Sequence, residues 1–136
     1  MILRLIAAFL ISAGFGVLFK VPKQELVFCG LTGLLGYSVL EITNSAFYAT
    51  ATVSLISLSL AKARQNISTM YLVTGIIPYV PGGSMYRTMY YLVFDMPALA
   101  IAAGIHTFTV AGSIALGVIL VLASYKVLLT LLGAKK

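Results

Sequence analysis

Apolar residues in this chain fall into long runs separated by short polar or proline-containing breaks. The first run, Ile2 to Phe19, is roughly 18 residues, near the lower limit for crossing about 30 Å of hydrocarbon. Lys20, Val21, Pro22 and Lys23 predict a turn, because proline disfavours a helical conformation in the residue before it. A second run extends from Gln24 to Leu40 and ends at Glu41; Asn44 and Ser45 can cap the third, Asn44 to Ala61, which Lys62 and Arg64 close. The fourth, 68 to 94, is interrupted at its centre. After the turn Asp95-Met96-Pro97, with proline suited to a first helical position, a fifth run is almost continuously apolar to Leu132 apart from His106 and Lys126. That exceeds one straight crossing, which predicts a tilt, a kink near Gly112 or Gly117, or projection beyond the bilayer. The expected fold is an all-α integral membrane protein with about five transmembrane helices, the fourth broken, forming a single domain over 1–136.

Within the runs, small residues mark faces. Gly30, Gly33 and Gly36 recur at every third position, and Gly14 and Gly16 act similarly in the first run, predicting close helix crossings. Ala46, Thr50, Ser54, Ser57 and Ala61 share one helical face, and they read as packing residues before they read as a polar path. Phe47 and Leu55 supply bulk for lipid or neighbours. His106 shares a face with Thr109, Ser113 and Gly117, which suits either a hydrogen-bonded packing histidine or a proton relay.

Composition excludes a water-soluble fold. The chain is 61% hydrophobic and 9% charged with a mean hydropathy of +1.08, against about 25% charged residues in soluble domains. A net charge of +6 does not indicate nucleic acid, because the basic residues lie between apolar runs and no basic stretch carries stacking aromatics. Cys29, the single cysteine, sits in an apolar run and reads as a buried inert thiol. No small-x-small cleavage site precedes Lys20, so the first run reads as an uncleaved span. No metal site and no cofactor are expected.

Five crossings put Lys20, Lys23, Lys62, Arg64, Lys126, Lys135 and Lys136 on one side. Arg4, Glu41 and Asp95 fall on the other, with Arg87 near it or within the bilayer. The positive-inside rule then places the N-terminus outside and the C-terminus in the cytoplasm, with Arg4 the one dissenter. Were the broken segment a re-entrant pair, this separation would be lost.

The break carries the candidate chemistry. About ten residues separate Ser68 from Pro78, roughly 15 Å of helix, which predicts a break near the bilayer midplane. Pro78 and Pro81 lack backbone donors, and Gly82 and Gly83 admit conformations closed to other residues. A helix restarting near Ser84 offers free amides and a positive dipole end, the device by which discontinuous transporter helices hold anions. Arg87, one turn further on, favours a carboxylate, with Tyr86, Tyr90 and Tyr91 able to line the site. The alternative is that Arg87 snorkels outward or pairs with Asp95. Glu41, Asp95 and His106 are possible coupling groups.

GIIPYVPGGSMYRT (Gly75 to Thr88), with Phe19-Lys20-Val21-Pro22 and CGLTGLLG (Cys29 to Gly36), resembles the threonine/serine exporter family. The likeness is to its short YjjB-like subunit, equivalent to the C-terminal half of the fused ThrE proteins. The resemblance implies a secondary exporter of small carboxylate-bearing metabolites in a bacterial cytoplasmic membrane, not an enzyme. Threonine and serine are implied for the fused form and dicarboxylates such as succinate for the split form. It also implies a second, YjjP-like membrane subunit; a homo-oligomer is the other assembly expected of the chain. Pro78, Pro81 and Gly82 fall on the family's motif; the role given to Arg87 comes from physical argument. Two other classes compete. One is a structural subunit without its own substrate site. The other is an intramembrane hydrolase built on Ser84 and His106.

Overall fold

A computed structural model describes residues 2–131, and Lys135 and Lys136 of the charge pattern lie outside them. The described residues are helical, without strands: α1 Ile2–Leu18, α2 Leu26–Thr43, α3 Ala46–Arg64, α4 Ser68–Ile76, α5 Gly82–Val93 and α6 Pro97–Leu131. Single 3-10 turns precede α2 (Lys23–Glu25) and follow α4 (Ile77–Tyr79). Three stretches are long and apolar enough to cross a membrane, Lys23–Thr43, Ala46–Arg64 and Pro97–Leu131; α1, at 17 residues, is apolar but shorter.

Four chain reversals use the same device without glycine. Lys20, Asn44, Gln65 and Asp95 take positive φ of 57°, 51°, 52° and 57° directly after or near a helix end. This left-handed residue lets the chain turn back while the last carbonyls keep partners: Asn44 N–H donates to Leu40 O at 2.8 Å and Val21 N–H to Gly16 O at 2.9 Å. The turns were legible from charge and proline, but their left-handed residues were not.

Glycines seat α1 against α2 in antiparallel register. A Cβ on Gly16 would lie 2.9 Å from Leu26, one on Gly30 would lie 2.5 Å from Phe9, and one on Gly33 would overlap the Ser12 hydroxyl. Gly14, by contrast, faces open space and takes no part. Gly33→Val should therefore force the pair apart. Overpacking of this kind costs about 1–3 kcal/mol, which a lower melting temperature in detergent would register. An unchanged melting temperature would mean that α1 and α2 do not meet there.

The other helices follow from similar contacts. Gly36 and Gly75 both abut Val53, and Gly75 also abuts Thr32, so α4 packs into the groove between α2 and α3. The predicted face of α3 is the buried one: Ala46, Thr50, Ser54 and Ser57 are buried. Thr50 and Ser54 donate to the carbonyls of Ala46 and Thr50, so their hydroxyls are satisfied within the helix and the stripe serves packing.

Gly117 of α6 packs on Phe47 and Thr50, and Leu120 to Leu128 lie near Leu55, so α6 runs parallel to α3. The chain between them thus passes from one end of the bundle to the other. Helix α6 is unbroken through Gly112 and Gly117, spans 35 residues and buries only Ala100, Thr107 and Gly117. At about 1.5 Å per residue it is roughly 50 Å long, and its N-terminal part pairs with α5, where Gly104 meets Thr88. Helix α5 buries no residue. A surface this apolar and this exposed belongs in lipid or against other membrane helices.

Candidate functional site

The chain does not leave the helical path at Pro78. Proline lacks the donor that an α-helix would use, and the backbone continues instead through the 3-10 turn Ile77–Tyr79, with Val80 N–H donating to Ile77 O at 3.3 Å. The direction changes at Val80 and Pro81, where Gly82 N–H turns back to Val80 O at 2.7 Å. Helix α5 then starts with Met85 N–H donating to Pro81 O at 3.0 Å. The amides of Gly83 and Ser84 have no backbone acceptor, as expected for a first helical turn.

A cleft of about 470 Å³ opens here, lined by Leu40, Asn44, Ala46, Tyr79, Pro81, Gly83, Ser84, Arg87, His106 and Val110. Along α2 and α3 the cleft sits near the turn that joins them. Tyr79 is level with Gly36, and the cleft reaches Asn44 and Ala46 at the α2–α3 turn, so it lies toward one end of the α1–α4 bundle. The 3-10 turn is the reason, because it carries the helix beyond Pro78 before the chain bends.

Of the residues predicted at a substrate site, Pro81, Gly83, Ser84 and Arg87 line the cleft. Pro78 borders a separate crevice with Arg4 and Tyr37, and Gly82 is not on the cleft wall. Tyr86 is 70% exposed and stacks with Tyr90 on the outside of α5, with ring centres 6.3 Å apart. Phe94 continues this row, 4.5 Å from Tyr90. Among the possible coupling groups, His106 lines the cleft. Glu41 is engaged by Arg4 at 3.0 Å, which gives the one out-of-place basic residue a local partner. Asp95 sits exposed in the α5–α6 turn, with no ion pair among the described residues.

Arg87 is the cation of the cleft. It makes no ion pair among the described residues, so the pairing with Asp95 is not formed. No acidic side chain lines the wall. A planar donor group next to free helix amides matches the geometry of a carboxylate. Ser84 and His106 do meet in one cleft, but the Ser84 hydroxyl donates to Pro81 O at 3.0 Å and makes no bond to the histidine. Tyr79, whose hydroxyl is buried without a partner, was not among the predicted residues, nor was Asn44.

A second polar cluster went unpredicted. Glu25, 5% exposed, accepts from Arg64 Nη2 at 2.7 Å and Nε at 3.1 Å, and from the Tyr71 hydroxyl at 2.7 Å. The Arg64 guanidinium also lies over the Phe28 ring, 4.6 Å from its centre. The available signal was that Glu25 is the one acid at the basic end of the bundle, amid Lys20, Lys23, Lys62 and Arg64.

Residues 4–123 match the family described as Threonine/Serine exporter, ThrE. The chain belongs to the threonine/serine exporter family. The matched region includes α1 to α5, the cleft and most of α6. Threonine/serine exporters are membrane transporters and not an enzyme class, which agrees with the exposed apolar helices. No solved structure matches the chain.

Proposed function

We propose that this threonine/serine exporter protein is one membrane subunit of a secondary exporter of small carboxylate-bearing metabolites. Its substrate would be threonine or serine, or a dicarboxylate such as succinate. The carboxylate would be held in the cleft by Arg87 and the free amides of Gly83 and Ser84, with an ion gradient driving export. The observation that carries this reading is an unpaired arginine, facing a cleft without acids, beside a helix start at a break in the chain.

The parallel course of α3 and α6 supports a single net traverse by residues 68–94. Together with α1, α2, α3 and α6, that traverse makes five crossings in one domain. Lys20, Lys23, Lys62 and Arg64 then fall on the cytoplasmic face of a bacterial inner membrane, and the N-terminus outside. The nearly uncovered α6 supports a second, YjjP-like subunit alongside lipid.

Uptake into inverted vesicles tests the proposal, using labelled threonine, serine and succinate with this chain, the second subunit, or both. Accumulation of at least one substrate is expected only when both are present. Accumulation with the second subunit alone would overturn it in favour of a dispensable structural role.

A further inference from the structure

The cleft lies at one end of a seam between α4 and the groove of α2 and α3, and the Glu25 cluster lies at the other. Moving inward from the cleft, the seam passes Tyr79 and then Val53, wedged between Gly36 and Gly75. It continues past Cys29 and Thr74 to Tyr71, all three fully buried. The seam is lined largely by small and hydroxyl-bearing side chains, yet those hydroxyls do not join the helices. Thr32, Thr50, Ser54 and Thr74 each donate to a carbonyl of their own helix. Ser57 and Tyr79 carry buried hydroxyls that form no hydrogen bond of ordinary geometry among the described residues.

Among the described residues only two side-chain polar links join separate helices. One is Arg4–Glu41 between α1 and α2; the other is Arg64–Glu25–Tyr71, joining α3, the 3-10 turn before α2, and α4. Helix α4 is therefore tied to its groove chiefly by packing, and its one charge-assisted bond among the described residues is at Tyr71. Packing with few cross-bonds permits the helix to part from its groove, and a charge-assisted bond at one end restrains it.

We propose that Glu25, Arg64 and Tyr71 form the gate at the basic end of this seam. The gate is closed in this structure while the Arg87 cleft is accessible at the opposite end, and the seam between them is the route by which substrate crosses. Opening would part Tyr71 from Glu25 and let α4 move off the groove, exposing Cys29. The inference rests on the transport reading above. Its test needs neither substrate nor flux, so its outcome is independent of the uptake experiment.

Cys29, the single cysteine of the chain, is fully buried beside Tyr71 and serves as reporter. Inverted vesicles holding the full chain and its partner are treated with a maleimide, and the purified chain is weighed by mass spectrometry. Glu25→Gln is expected to raise the labelling rate of Cys29 by about tenfold or more over the unsubstituted chain. Tyr71→Phe, which leaves the ion pair intact, is expected to give an intermediate rate, and it keeps the test available should Glu25→Gln fail to fold. As a control, Ala100→Cys in a Cys29→Ser chain, buried in the part of α6 that pairs with α5, should stay unlabelled with or without Glu25→Gln. Unchanged labelling of Cys29 in both gate variants would overturn the proposal. So would equal labelling at position 100, which would make the cluster a clamp on the whole protein.

Discussion

Arg87→Ala is expected to lower the rate of export by roughly 10- to 100-fold, the factor set by losing a charge-assisted hydrogen bond to the substrate. The protein should still insert and assemble, because Arg87 is exposed on the cleft wall and holds no other element through an ion pair. Arg87→Lys keeps the charge but loses the planar fork that meets both carboxylate oxygens, so it should fall between the two. Initial uptake rates in inverted vesicles, normalised to the amount of protein in the membrane, measure the effect. Unchanged uptake with alanine at position 87 would remove the cleft as a carboxylate site, leaving the family membership intact.

The parts of this protein legible in its sequence are those governed by local rules. Turns follow from Pro22 and Pro97, and the buried face of α3 follows from residues spaced three and four apart. The contacts of Gly16, Gly30, Gly33 and Gly36 follow from the need for close backbone approach in lipid. How the backbone passes Pro78 and Pro81 was not legible. Whether a proline ends a helix depends on whether a 3-10 turn can absorb the missing donor, and here Ile77–Tyr79 does so. That offset moved Pro78 away from the cleft and Tyr79 onto it.

Side-chain direction was a second limit. Tyr86 and Arg87 are adjacent in sequence yet point to different surroundings, because neighbouring helical positions differ by about 100°. Interactions distant in sequence were the third. Arg64 and Tyr71 lie 39 and 46 residues from Glu25, and no periodicity connects them. Only the packing of three helix ends brings them together.

The Glu25 cluster is therefore where substitutions should most affect stability, and the effect should be asymmetric. The Glu25 side chain is 6% exposed, whereas that of Arg64 is 37% exposed. Arg64→Ala leaves a covered carboxylate at the bundle end with only the Tyr71 hydroxyl and Asn66 near it, and breaking such a pair is more damaging than replacing it. A fall in melting temperature on the order of 10 °C is expected for Arg64→Ala in detergent. Glu25→Gln should be milder, because the arginine it releases already reaches solvent and the amide still accepts from Tyr71. The double variant Glu25→Gln with Arg64→Gln buries no charge, so it should recover much of the loss caused by Arg64→Ala. Thermal melts of the three proteins, taken side by side, decide the matter. If Arg64→Ala proves no worse than Glu25→Gln, the carboxylate is already hydrated and the seam stands open at its basic end.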